Sequence, residues 1–182
     1  FVRFTDQRPE ALQAIVPTLR ARFRRHRKPD RRVLSVAAHL RRGDVSAHDP
    51  ETAHRAASLE SLVASIEQVR SIARELAVPL QVKVYSQGPC EPLSALTSLG
   101  CELHLETPAL EAFHDMVAAD LLIMGRSTFS FTAGLLNAGI KIYDPFARKP
   151  MPGWHVKNVD GLVDQASMRR ILAAHLGHRL AA

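Results

Sequence analysis

Five short strand-like segments, some continuously apolar and some alternating apolar with polar, intersperse along this chain with segments whose apolar residues recur at helical spacing. The strand-like segments cover residues 33–40, 80–86, 101–106, 120–124 and 140–143. Each is too short for a typical helix and is bounded by charged residues, glycine or proline, so each reads as a buried strand. Strands and helices alternate about five times, an order that argues for parallel pairing with helices on both faces, and the continuously apolar 120–124 suits a central strand. The expected fold is therefore α/β, a doubly wound parallel sheet. At 182 residues the chain is long enough to bury one such core. Residues 1–32 are expected to form an arginine-rich helical segment, and residues 33–182 the sheet domain.

The helical segments carry their own signals. Asp6 can cap a helix over about residues 7–27, with Leu12, Ile15, Val16, Leu19 and Phe23 as its stripe. Pro17 predicts a kink or a division into two helices. Ser58 caps a second helix, in which Leu59, Leu62, Val63, Ile66, Val69 and Ile72 recur at helical spacing. Shorter helices are expected over 91–99, 109–119 and 129–137, and a last one over 163–176. Residues 45–55 and the proline-bearing 144–154 read as loops.

Two strand exits carry unusual polar residues. The first is His39-Leu40-Arg41-Arg42-Gly43-Asp44. Ligands of open parallel sheets bind at the carboxyl ends of the strands. Arginine suits phosphate there, because its planar fork donates two parallel hydrogen bonds and stays charged. Gly43 allows a sharp turn or a close approach. The second exit, Gly125-Arg126-Ser127-Thr128-Phe129-Ser130, runs into a helix. Ser127, Thr128 and the first helical N–H groups could hold a phosphate or a base carbonyl; the plainer reading is a helix cap followed by a core Phe. Asp115, on the preceding helix, could accept two N–H bonds from a guanine edge or simply face solvent. His39 could line the site or be a satisfied core histidine.

The formal net charge of +6 favours acidic partners, among them nucleic acid, anionic lipid and phosphorylated small molecules. Much of it lies between Arg20 and Arg32, a cluster that also reads as a solvated helix end. No apolar run approaches the roughly 20 residues of a membrane helix, and the amino end lacks signal-peptide order. Cys90 and Cys101 form no CxxC pair, and no His/Cys group has zinc spacing. No GxGxxG follows the first strand; a P-loop, a GxSxG elbow and a DxD pair are also missing. Without a metal-binding DxD, arginine would have to neutralise a diphosphate.

Together these residues resemble the donor-binding half of the fucosyltransferases, the α1,2/α1,6- and protein O-fucosyltransferase superfamily. His39-Leu40-Arg41-Arg42-Gly43-Asp44 is similar to that superfamily's H-x-R-R-x-D peptide. Asp120 through Ser130 is similar to its later motif, an apolar strand leading into Ser/Thr-Phe/Tyr-Ser. The resemblance covers roughly residues 33–154. It implies one Rossmann-like half of a two-Rossmann-domain glycosyltransferase. It further implies GDP-fucose as donor, a glycan or protein hydroxyl as acceptor, inversion at the sugar, and no metal or other cofactor.

The resemblance also implies roles. Arg41 binds the diphosphate and stabilises charge on the leaving GDP, with Arg42 in support. His39 and Gly43 line the donor site, and Asp115 reads guanine. Ser127, Thr128, Phe129 and Ser130 hold base and phosphates. Asp44 is a catalytic candidate by position alone. Phe131-Thr132 stand where the α1,2 enzymes carry tryptophans. The other Rossmann half has no room before residue 33, so a missing amino-terminal domain is expected. The compartment stays open between bacterial cytoplasm and Golgi lumen. Two alternatives remain: a nucleic-acid-binding module driven by residues 20–32, and a non-catalytic, degenerate transferase half acting as an interaction module.

Overall fold

The computed structural model describes residues 9–23, 32–42, 58–146 and 148–181. Its strands are β1 (Leu34–His39), β2 (Leu80–Ser86), β3 (Glu102–Leu105), β4 (Leu121–Ile123), β5 (Ile140–Tyr143) and β6 (His155–Val156). They form one six-stranded sheet in the order β3-β2-β1-β4-β5-β6, parallel at every pairing. This is the Rossmann-like order, in which the chain starts at the centre, builds one wing and returns to build the other.

The helices are α1 (Pro9–Arg22), α2 (Leu59–Glu75), α3 (Ser94–Ser98), α4 (Ala109–Ala118), α5 (Thr128–Leu136) and α6 (Gln165–Ala181). Residues of β1 alternate between two cores, as the period-two geometry of a strand demands. Leu34, Val36 and Ala38 join Ile66 and Ile72 of α2 and Met168 and Leu172 of α6. Ala37 turns the other way, towards Met116 of α4 and Phe131 and Ala133 of α5. Burial on both faces explains why the central strands read as continuous apolar runs.

The α2 signal holds in detail. Ser58 accepts a hydrogen bond from the Ser61 N–H at 3.2 Å, and Leu62, Ile66, Val69 and Ile72 are buried. Pro17 does not divide α1: it lies inside a single helix from Pro9 to Arg22. Both Pro17 and Gln13 are exposed there, so water can serve the carbonyl that lacks its helical donor. α1 packs on α5 through buried Val16, and Arg20 donates to the Leu135 and Asn137 carbonyls at the end of α5. Residues 24–31 and the expected loop at 45–55 lie outside the described residues. β6 was not expected; it follows the proline-bearing loop. Cys90 is exposed, Cys101 is buried, and both are free thiols.

Candidate functional site

β1 and β4 are neighbours in the sheet, yet their chains leave it for opposite faces. α2 follows β1 onto one core and α5 follows β4 onto the other. A crevice opens where successive connections part in this way. The two exits touch: the Arg41 Nη1 donates to the Ser127 Oγ at 3.3 Å. Gly125 permits the approach, since a Cβ there would stand 2.5 Å from the His39 carbonyl oxygen.

A cleft of about 230 Å³ lies along the exits of β1, β2 and β3. His39 and Arg41 come from β1, Tyr85 and Gln87 from β2, His104 and Thr107 from the β3 side, and Phe129 from α5. Two ring pairs frame it. Tyr85 and His104 lie 5.0 Å apart and tilted by 31°; His39 and Phe129 lie 5.7 Å apart and tilted by 54°. Ring faces and one guanidinium suit a ligand with a planar or apolar part and an anionic part. Closed sites for drug-sized ligands hold roughly 300–1,000 Å³, so this cleft is too small to enclose such a ligand whole. A larger, shallower depression of about 1010 Å³ beside α2 takes no residue from the β1 or β4 exits.

Burial and the nearby Arg41 charge push the His39 imidazole down to about 4, so it is neutral at neutral pH. Its Nδ1 faces inward and has no hydrogen-bond partner among the described residues. A neutral ring leaves the positive charge at this exit to arginine.

The expected site residues part company in the structure. His39, Arg41 and Phe129 line the cleft. Ser127 is buried and caps α5, accepting from the Phe129 N–H at 3.2 Å while it accepts from Arg41. Thr128 is exposed at the start of α5, within 3.5 Å of Arg148. Ser130 is fully buried and donates to the Gly125 carbonyl at 3.0 Å, bracing the turn from beneath. Arg42 donates to the carbonyls of Gln87 and Pro89. Asp115 does not line the cleft: its Oδ2 accepts from the Tyr85 hydroxyl at 2.6 Å and lies 3.7 Å from Lys83 Nζ. Burial, with Asp115 beside it, raises the Tyr85 hydroxyl far above its usual range. Gly43 and Asp44 lie outside the described residues.

Sequence reasoning passed over Tyr85, Gln87, His104 and Thr107. The rule that singled out Arg41 would have found them, because they too stand at carboxyl ends of strands. It also passed over a buried cluster on the other wing. There Asp144 accepts from Arg126 Nε at 2.9 Å and lies 3.0 Å from Lys157 Nζ. Among the described residues, no group of His, Cys, Asp and Glu side chains could hold a metal ion, and no helix is long and apolar enough to cross a membrane.

No protein-family model matches the sequence, and no curated protein matches it. Among solved structures, a crystal structure of POFUT1 in complex with GDP-fucose is similar with a TM-score of 0.43 and 16% identity, over 82% of this chain and 46% of that one. A crystal structure of POFUT1 in complex with GDP gives 0.41 and 17%, over 73% of this chain and 44% of that one. The chain thus spans less than half the length of those structures.

Proposed function

We propose that the cleft binds a nucleoside diphosphate sugar, and that the chain is the donor-binding half of a fucosyltransferase-like glycosyltransferase. The observation that carries this reading is Arg41 on the wall of the cleft at the β1 exit, held there from behind by the buried Ser127 hydroxyl at the β4 exit. The sequence resemblance supplies the finer detail, GDP-fucose as donor and a glycan or protein hydroxyl as acceptor.

The chemistry follows from charge. In an inverting transfer the acceptor oxygen bonds to the anomeric carbon as that carbon's bond to the diphosphate breaks. The diphosphate leaves with the electron pair, and the acceptor proton passes to a base. Arg41 is the fixed positive charge at the point where negative charge builds, and it needs no reorganisation to act. Losing one such donor typically costs about 3 kcal/mol at the transition state. Ser127 holds the Arg41 fork towards the crevice, and its own cap bond keeps the hydroxyl in place. Asp44 remains the candidate base by position. His39 and Phe129 supply one wall, and Tyr85 with His104 another.

The test is calorimetric titration of GDP into the chain and into Arg41→Ala. The reading expects a loss of about tenfold or more in the variant. Equal affinity would remove the site. Tight, steeply salt-dependent binding of random duplex that GDP does not displace would instead favour the arginine-rich segment as a nucleic-acid site.

A further inference from the structure

Arg42 stands beside Arg41, and its guanidinium is engaged elsewhere. Nε and Nη2 both donate to the Gln87 carbonyl, at 2.8 and 2.5 Å, and Nη2 also donates to the Pro89 carbonyl at 2.5 Å. The same tripeptide is held from the other side, where the Gly88 N–H donates to Glu106 Oε1 at 2.6 Å. Both residues of that bond have positive φ, +77° at Gly88 and +55° at Glu106. A glutamate adopts that conformation only where its surroundings hold it there. Beneath them the Ser86 hydroxyl donates to the Leu40 carbonyl at 2.8 Å, and the Glu106 N–H donates to the Ser86 carbonyl at 3.3 Å. Residues 86–89 are thus laced to the exits of β1 and β3, and Ser86 and Gln87 line the cleft.

We infer that Arg42 and Glu106 form a clamp that fixes the Gln87 wall of the cleft, with Arg42 a positioning residue and Arg41 the ligand of the anion. A planar fork can straddle two backbone carbonyls; an ammonium on a flexible stem cannot hold both in one geometry. Glu106 completes the clamp from the β3 side with a charge-assisted bond to a backbone amide. The clamp's consequence for nucleotide binding rests on the function proposed above, whereas the clamp itself does not.

The variants Arg42→Lys, Glu106→Ala and Glu106→Gln test it. Two readouts are needed: amide exchange at Gly88, and calorimetry with GDP and separately with inorganic pyrophosphate. In Arg42→Lys and Glu106→Ala, exchange at Gly88 is expected to rise about tenfold or more. GDP affinity is expected to fall about tenfold in both, with pyrophosphate affinity held within about twofold. Glu106→Gln keeps an acceptor oxygen and should retain most of the protection. Were Arg42 a direct ligand of the anion, Arg42→Lys would weaken GDP and pyrophosphate together. Glu106→Ala, which removes a negative charge, would then tighten both; that pattern overturns the inference. Unchanged exchange at Gly88 in Arg42→Lys overturns it too. If the unmodified chain binds neither GDP nor pyrophosphate, the nucleotide reading fails, and the exchange result alone decides the clamp.

Discussion

The Arg41 guanidinium meets the Ser127 hydroxyl at 3.3 Å, joining residues 86 positions apart in the chain. Ser127 serves two donors at once, the Arg41 side chain and the Phe129 backbone amide. Replacing it with alanine removes a helix cap and one partner of Arg41 together. Ser127→Ala is expected to lose about 1 kcal/mol of stability in denaturant unfolding, and Ser127→Gly less than Ser127→Ala. A loss in Ser127→Ala no larger than that of an exposed alanine substitution would show that the cap contributes nothing.

Gly125 is where two backbones come closest at the site. A Cβ there would sit 2.5 Å from the backbone carbonyl oxygen of His39, the last residue of β1, which pairs with Tyr85 of β2. Gly125→Ala is expected to destabilise the chain by about 1–3 kcal/mol, seen as a lower thermal midpoint. An unchanged midpoint would mean that the β1 and β4 exits can separate freely.

His39 gives a pH signature with a definite sign. Its folded-state value, about 4, lies below the 6.5 of the free side chain, because burial and Arg41 disfavour the cation. The unfolded chain therefore binds the extra proton between those values, so stability rises with pH across that window. The contribution is complete above about pH 6.5 and is lost as pH falls towards 4, with a ceiling of about 3 kcal/mol. Unfolding free energies compared from pH 7 down to pH 4 should fall more steeply for the chain than for His39→Gln, which lacks the titrating group. Parallel curves would place the acid sensitivity elsewhere.

Asp144 balances two cations, one of them deeply buried. Lys157 and Asp144 are 3% and 4% exposed in their side chains, and burial pulls the Lys157 ammonium down while Asp144 holds it up. Asp144→Asn leaves that ammonium without its counter-charge and is expected to cost about 3 kcal/mol. Asp144→Asn combined with Lys157→Met should recover part of the loss, because the stranded charge is gone. Additive losses in a double-mutant cycle would contradict the pairing.

The wings of the sheet were legible to different degrees. Residues 80–86 and 140–143 match β2 and β5 residue for residue, since apolar side chains alternate with polar ones along both and Pro79 and Gly139 mark their starts. β6 was not legible: two residues, His155 and Val156, carry no periodicity, and a loop with Pro150, Pro152 and Gly153 precedes them. In the site, Arg41 and Ser127 could be paired from sequence because strand exits of a parallel sheet share one edge. The destinations of Arg42 and Ser130 could not, because both side chains donate to backbone carbonyls whose positions only the folded loops define. Asp115 was read from its type, a carboxylate; its actual partner Tyr85 lies on a different element.

The most direct measurement is a backbone amide chemical-shift map of the labelled chain with GDP added stepwise. The account predicts that Leu40, Arg41, Gln87 and Phe129, which line the cleft, and Ser127, which holds Arg41, respond together at one saturating concentration. A response confined to residues 20–32, or one that touches the β1 exit without the β4 exit, would contradict a nucleotide site at Arg41 held by Ser127.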